Sequence, residues 1–268
     1  MKGFALAAIA AFTLSAAPAL AQATPGGFDE ESFRVFTDAR FGTGEPVYWY
    51  SAGTVRAYPS GEILFIMEGY DTARGEHVEG MERPTARQFN RKTYVYRDAE
   101  TGEILREYNG NPVGTIAYDY QFITYELSDD GFLETVVEQG RAPRLQRFGP
   151  DRDMGVTRLG DTYVFTAPVF LDFPIPGTEA RYEAWENYDF FVTPDADISH
   201  PLTLSWARYG ALPAWAGGGP AIIHMVSWRL DRFEDVPERF RAYIEAEAPL
   251  WMQPPADLDE IRQLQGAQ

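Results

Sequence analysis

Apolar and polar residues alternate along most of the chain in short segments that end at glycine, proline, asparagine or aspartate. A period of two residues is typical of β-strands with one buried face. The clearest case is a hairpin in which residues 93–97 and 103–108 flank a turn at residues 98–102. Because Asp98 can cap a type I turn and Gly102 can adopt a positive φ, this segment predicts two antiparallel strands joined through a glycine bulge.

The remaining predicted strands are rich in β-branched and aromatic residues, and they bring the total to about ten. They cover residues 47–51, 54–58, 62–70, 115–127, 132–139, 162–170, 180–192, 203–209 and 221–230. A second turn is predicted at residues 109–112. Residues 71–90 and 140–160 are polar and lack a clear period, so they predict irregular loops.

Helical periodicity is confined to the two ends of the chain. Phe33 and Phe36 recur at helical spacing within residues 28–41, after an acidic start that suits a helix N-terminus. Near the C-terminus, Pro237 stands at a favoured first-turn position of a helix that runs to about residue 246. A shorter tail helix is predicted at residues 257–264.

Strands that do not alternate with helices argue against a parallel sheet. We therefore expect a mainly β, single-domain antiparallel β-barrel of the lipocalin-like kind, with flanking N- and C-terminal helices. The predicted domain covers residues 45–255, preceded by a lead and helix at 22–44 and followed by a tail at 256–268. A two-sheet β-sandwich is the alternative.

The first 21 residues have the pattern of a secretory signal peptide. A basic Lys2 precedes an apolar run over residues 4–20, and Ala19 and Ala21 fit a small-x-small cleavage site. We predict cleavage after Ala21, a disordered lead at residues 22–27, and a periplasmic or secreted mature protein. The apolar run is shorter than the roughly 20 residues that a membrane-spanning helix needs, so no span is expected in the mature chain.

Composition narrows the classes of partner. The chain has 40 Asp and Glu against 23 Lys and Arg, a net charge of −17, which disfavours nucleic acid and anionic lipid. It has no cysteine, which excludes disulfides, thiolate metal sites and cysteine nucleophiles. Its 15 Tyr, 18 Phe and 6 Trp suit both a large sheet and a cavity for planar or sugar-like ligands.

Several segments together resemble a bacterial family known as domain of unknown function 1838. They are residues 46–50 (PVYWY), 64–69 (LFIMEG), 94–105 (YVYRDAETGEIL) followed by Asn111 and Pro112, 188–192 (YDFFV), Ser205 with Trp206, 212–215 (LPAW), and the stretch 236–255. The resemblance implies a single exported or cytoplasmic bacterial domain over nearly all of the mature chain. It implies no activity, and no catalytic residue is carried over from it.

His224 is the histidine best placed for chemistry, because it interrupts an apolar strand. Alternation puts it on one side with Ile222 and Trp228, and puts Ile223 and Met225 on the other. An imidazole there is either a hydrogen-bonded core residue or a proton-transfer group that faces a cavity. His77 lies in a loop and His200 precedes a proline, so both are expected at the surface.

Two carboxylates in apolar surroundings are further candidates for acid–base catalysis. Glu68 follows an apolar run, and a buried glutamate has a raised pKa. Glu186 shares one side of an aromatic strand with Tyr182 and Tyr188, and that side could face a pocket. The alternative is that these acids face solvent on the outside of a barrel.

We expect ligand contacts from aromatic residues and arginines in the strands. The candidates are Tyr48, Tyr50, Arg91, Tyr182, Trp206 and Trp228. Other arginines within or beside strands are Arg56, Arg87, Arg181 and Arg208. An inward-facing arginine would hold a ligand carboxylate in bidentate fashion, whereas an outward-facing one would pair with an acid. No motif requires a metal or a cofactor.

These features lead to three hypotheses. The first is a cofactor-independent lyase, isomerase or hydrolase that acts on a small aromatic or carbohydrate-like compound, with His224, Glu68 or Glu186 as catalytic groups. The second is a non-catalytic periplasmic protein that binds a small ligand in an aromatic cavity. The third is an envelope interaction protein. A monomer or a homodimer is expected in each case.

Overall fold

The computed structural model describes residues 26–139, 144–148, 155–174, 179, 181–194 and 202–266. The predicted signal peptide and residues 22–25 of the predicted lead lie outside these ranges. The helices are α1 (Glu30–Phe41), α2 (Glu238–Glu247) and α3 (Leu258–Gly266). The strands are β1 (Val47–Ala57), β2 (Ile63–His77), β3 (Thr85–Asp98), β4 (Glu107–Tyr108), β5 (Asn111–Pro112), β6 (Ile116–Leu127), β7 (Leu133–Glu138), β8 (Arg144–Phe148), β9 (Val156–Leu159), β10 (Thr162–Pro174), β11 (Arg181–Val192), β12 (Thr203–Ala211) and β13 (Pro220–Leu230).

Eleven of these strands form one antiparallel sheet in the order β8-β7-β6-β3-β2-β1-β13-β12-β11-β10-β9, and β4 and β5 form a separate ribbon. The sheet curls into a half-barrel, so the predicted mainly β, barrel-like architecture is confirmed. Within the described residues the ladder ends at β8 and β9. None of the described helices is both long enough and apolar enough to cross a membrane.

Helix α1 lies on the concave side of the sheet. Asp29 and Ser32 form its N-terminal capping box, with Ser32 N donating to Asp29 Oδ1 over 2.8 Å. The ring of Phe36 lies 6.1 Å from that of Tyr125 in β6 and 5.3 Å from that of Phe190 in β11. Because β6 and β11 are six positions apart in the sheet, one ring can reach both only if the sheet wraps around the helix.

Gly75 in β2 makes room for this helix. A Cβ atom at Gly75 would lie 1.6 Å from Cδ2 of Phe41, whose ring is fully buried. We expect Gly75→Ala to lower the free energy of unfolding by about 1–3 kcal/mol, since overpacking displaces the helix. Urea unfolding followed by circular dichroism measures this, and Gly219→Ala is the matched control because no atom lies within 4 Å of its added Cβ. An equal effect of the two substitutions would contradict the packing described.

The prediction of a loop over residues 71–90 is confirmed only for residues 78–84 and is wrong for the rest. Residues 71–77 continue β2 and residues 85–90 begin β3. Asp71, Thr72, Gln88 and Asn90 are nevertheless buried, at 4% exposure or less. Polar residues lie on both the inward and the outward side of these strands. The sequence therefore shows no alternation of apolar and polar residues here, and the strands could not be recognised from it.

Other local differences are smaller. Part of residues 140–160 is β8 and β9, and the second arm of the predicted hairpin is reduced to a bridge between Arg97 and Ile104 followed by β4. The turn itself is confirmed, with Thr101 N donating to Asp98 Oδ1 over 2.7 Å and Gly102 at φ 70°. Gly26, assigned to the disordered lead, pairs with Val156 at the sheet edge.

The C-terminal helices cover part of the convex side. Phe240 and Ile244 of α2 are fully buried and pack with Tyr70 of β2 and Val95 of β3. Ile261 of α3 is fully buried against Phe89 and Phe122 in the neighbouring strands β3 and β6. The segment predicted as a tail is therefore packed onto the sheet. Leu230 at the end of β13 also packs against the α2 cluster.

Candidate functional site

The two faces of the sheet separate the residues that the sequence singled out. In β13, Ile223, Met225 and Ser227 are buried on the concave side, whereas Ile222 and His224 are exposed on the outer side. The predicted alternation is confirmed. His224 Nε2 lies 3.3 Å from the hydroxyl of Ser205 at the outer surface. It therefore does not face the interior of the half-barrel.

Glu68 is buried, at 7% exposure, but on the convex side beneath α2. Its carboxylate pairs with Arg97 and accepts a hydrogen bond of 2.6 Å from the hydroxyl of Tyr50. Burial, followed by this hydrogen bond, raises the pKa of Tyr50 above its usual range. Trp228 stacks on Tyr50 with ring centroids 6.1 Å apart. Glu68 of β2 therefore links β1 and β3 through Tyr50 and Arg97, on the side that α2 covers.

Tyr48 and Arg91 belong to the same convex side. The ring of Tyr48 packs against Tyr70 and Phe233. Arg91 pairs with Glu260 of α3 and donates to the carbonyl oxygens of Asp119 and Gln253. Six of the nine candidates therefore lie on the convex side and not on the concave side. They are His224, Glu68, Tyr48, Tyr50, Arg91 and Trp228. The reason is that alternate side chains of a strand point to opposite faces. Residue type alone does not determine which face is turned inward.

Glu186, Tyr182 and Trp206 are the three candidates on the concave side. Glu186 is 9% exposed and accepts a hydrogen bond of 2.6 Å from the hydroxyl of Tyr188. Its second carboxylate oxygen lies 3.7 Å from Nε of Arg208. Burial, followed by the adjacent Glu186, raises the pKa of Tyr188 well above its usual value.

A band of polar residues crosses the middle of the concave side. This inner polar layer consists of Arg40, Asp71, Asn90, Lys92, Glu186 and Tyr188. Along β2, Asp71 lies between Ala73, which packs with α1, and Met67, which belongs to the apolar cluster at the other end. Along β11, Glu186 and Tyr188 lie between Phe190 and Tyr182 in the same way.

Asp71 is the centre of this layer. Its carboxylate lies 2.9 Å from Nη2 of Arg40 and 3.3 Å from Nζ of Lys92, and it accepts a hydrogen bond of 3.0 Å from Asn90. Burial alone would raise the pKa of Asp71, but the two cations outweigh it and hold that pKa below its usual value. Within the described residues, no three histidine or carboxylate side chains are grouped as a metal site.

Beyond the inner polar layer, on the side away from α1, strand and loop residues line a partly open cavity of about 250 Å³, which we call the inner cavity. Its walls include Tyr96, Ile116, Tyr182, Arg208, Trp215 and Ile223. The Trp215 ring closes one side, 4.9 Å from that of Tyr96 and 5.4 Å from that of Phe65. The lining is thus aromatic and aliphatic, with one charged group.

That charged group is Arg208. Its guanidinium carbon lies 5.2 Å from the centroid of the Tyr182 ring. Of the five strand arginines named from the sequence, four are directed elsewhere: Arg56 to the carbonyl of Gly61, Arg87 to Glu76, Arg181 to Asp172, and Arg91 to the C-terminal segment. Only Arg208 lines the inner cavity.

Sequence reasoning missed Trp215, Asp71 and Lys92 as parts of the site. Trp215 lies in a short 3₁₀ helix, Ala214–Ala216, within a glycine- and proline-rich stretch that local pattern assigns to a connection between strands. Asp71 lies in the segment predicted as a loop. Compared with protein-family models, curated proteins and solved structures, the chain has no match, and its resemblance to the domain of unknown function 1838 family stays a prediction.

Proposed function

We propose that the protein binds a small, largely aromatic or apolar ligand in the inner cavity, as a binding protein that works in the periplasm or outside the cell. The observation that carries this proposal is a cavity of about 250 Å³ whose walls are mostly aromatic and aliphatic side chains. Sites for drug-sized ligands have roughly 300–1,000 Å³, so the ligand is smaller than these. The location rests on the predicted signal peptide.

The positions of the acid–base candidates favour binding over catalysis. A general base must lie within hydrogen-bond reach of the proton that it removes. His224 is exposed on the outer side and Glu68 is held by Arg97 and Tyr50 beneath α2. Neither group faces the inner cavity.

One observation supports a second candidate, a cofactor-independent enzyme. Glu186 is a buried carboxylate 3.7 Å from Arg208, which lines the cavity, and a buried carboxylate is a common general base. If the ligand is turned over, Glu186→Gln should abolish turnover while leaving ligand binding in place. Chromatography of the ligand after incubation with each protein measures this.

The binding proposal predicts that Trp215→Ala weakens binding of a neutral aromatic probe, N-phenyl-1-naphthylamine, by about tenfold, because the lost ring contact is worth on the order of 1.4 kcal/mol. Fluorescence titration measures the dissociation constant. Trp185→Ala is the matched control, since Trp185 is 38% exposed on the outer side, and its constant should stay within about twofold of the wild-type value.

A thermal unfolding scan of both variants checks that they are folded. Native mass spectrometry of the protein purified from its own host would detect a retained ligand directly. The absence of saturable probe binding to the wild type, or an equal loss in the two tryptophan variants, would contradict a ligand site in the inner cavity.

A further inference from the structure

Arg208 differs from the other buried arginines in the described part of the chain. Four arginine side chains that are less than one-fifth exposed take part in ion pairs: Arg40 at 11%, Arg91 at 3%, Arg97 at 5% and Arg208 at 18%. The first three each donate at least one hydrogen bond. Arg208 donates none to a described residue, since its nearest carboxylate oxygen, on Glu186, is 3.7 Å away.

A guanidinium has five N–H donors and remains charged, so burial without hydrogen bonds is unfavourable. Burial lowers the pKa of Arg208, and the nearby Tyr96 and Tyr118 offset this only in part. The free donors lie at the wall of the inner cavity. A ligand oxyanion in the cavity would supply the missing acceptors.

Trp206 provides a second unused donor on the same side. Its indole Nε1 is buried and has no hydrogen-bond partner among the described residues. Trp206 precedes Arg208 by two positions in β12, so the two side chains share a face and their Cα atoms are about 7 Å apart. The Trp206 ring also packs with the apolar cluster that forms the cavity walls. Arg208 lines the cavity, and Trp206 lies beside it on the same face of β12 with its donor unused.

The charge on this side favours a singly charged anion. Arg208 and the inner polar layer together contain three cations, Arg40, Lys92 and Arg208, and two anions, Asp71 and Glu186. Asp71 pairs with both Arg40 and Lys92. Among these five described side chains the cations outnumber the anions by one, in a protein of net charge −17. Because Glu186 lies behind Arg208, it would repel a doubly charged phosphate more strongly than a carboxylate.

We propose that the ligand is a small organic acid with one carboxylate. The carboxylate accepts hydrogen bonds from the Arg208 guanidinium, with Trp206 Nε1 as an additional donor, because planar bidentate pairing is what arginine offers a carboxylate. The apolar part of the acid lies against Tyr96, Tyr182 and Trp215. This inference rests on the proposed binding function and names the class of ligand.

The test compares phenylpropanoate with its neutral amide, phenylpropanamide, by isothermal titration calorimetry on the full-length mature protein. We expect the wild type to bind the acid at least about tenfold more tightly than the amide, as charge-assisted bonds are about twice as strong as neutral ones. Arg208→Gln should remove this preference and leave the amide affinity within about twofold. Trp206→Phe, which keeps a ring and removes the N–H, should reduce acid binding by about threefold.

Arg56→Gln is the matched control, because Arg56 donates to the carbonyl of Gly61 away from the cavity, and it should change neither affinity. Equal binding of acid and amide by the wild type would overturn the carboxylate assignment while the binding function stands. Equal loss of both ligands in Arg208→Gln would also overturn it, since Arg208 would then act through structure alone. Failure of both ligands and of the neutral aromatic probe would overturn the binding function itself.

Discussion

Phe36→Ala is expected to lower the free energy of unfolding by about 3–5 kcal/mol, the range for removing a large buried aromatic side chain. Phe36 is 7% exposed, and its ring contacts those of Phe28, Phe165, Phe190 and Tyr125. These rings come from the lead before α1 and from strands on both halves of the sheet. Deleting the Phe36 ring therefore leaves a void at the point where the two halves meet.

Urea unfolding at neutral pH, followed by far-ultraviolet circular dichroism, measures this change. Arg34→Ala is the control on the same helix, because Arg34 forms an exposed i,i+4 ion pair with Glu30. Such pairs contribute only about 0.3–0.5 kcal/mol. A loss below about 1 kcal/mol in Phe36→Ala would mean that the helix does not hold the two halves of the sheet together.

Asp71→Asn is expected to be comparably destabilising at pH 7, by about 3–5 kcal/mol, because it leaves Arg40 and Lys92 buried without their counter-ion. The substitution preserves the volume of the side chain, so the effect comes from charge. Asp129→Asn is the control, since Asp129 is 88% exposed and 3.7 Å from Arg83. A change of less than about 0.5 kcal/mol is expected there.

The same substitution should change the dependence of stability on pH. The pKa of Asp71 is lower in the folded protein than the value of about 3.9 in the unfolded chain. Its contribution is therefore fully present above the unfolded pKa, and it is lost as the pH falls through the folded pKa. We expect the difference between wild type and Asp71→Asn to be large at pH 6–7 and to shrink below about pH 4.

Unfolding curves at pH 7 and pH 3 test this directly. Other carboxylates with a lowered pKa, such as Asp29 and Asp98, are present in both proteins, so the difference between the two isolates Asp71. A difference that stays constant over this range would show that Asp71 acts by hydrogen bonding to Asn90 and not by its charge.

Where the apolar and polar residues of a segment face opposite ways, its structure could be predicted from local pattern. Helix α1 follows from Phe33 and Phe36 at helical spacing after the Asp29 cap. Strand β13 was predicted from its apolar and β-branched residues, with alternation defining its two faces. The loop prediction for residues 71–77 and 85–90 failed for the opposite reason, because the inward side of β2 and β3 holds Asp71, Gln88 and Asn90.

The candidate site was predictable only in part. Glu186 and Tyr182 were assigned to one face by alternation along β11, and the structure places both on the concave side. His224 was also assigned to one face by alternation, and Glu68 was singled out after an apolar run, yet both lie on the other side. A period of two residues defines two faces and does not identify which of them the sheet encloses.

Local sequence pattern was enough to predict the class of fold, most of the strand segments and the helix at residues 30–41, and composition was enough to disfavour nucleic acid as a partner. Which side of each strand faces the concave interior became known only from the folded sheet. The tertiary structure also brought Arg40, Asp71, Lys92 and Glu186 together, and it left Arg208 without a hydrogen bond at the cavity wall. These arrangements result from long-range strand pairing and from the curvature of the sheet. Residues far apart in sequence come close together only when the whole sheet has formed.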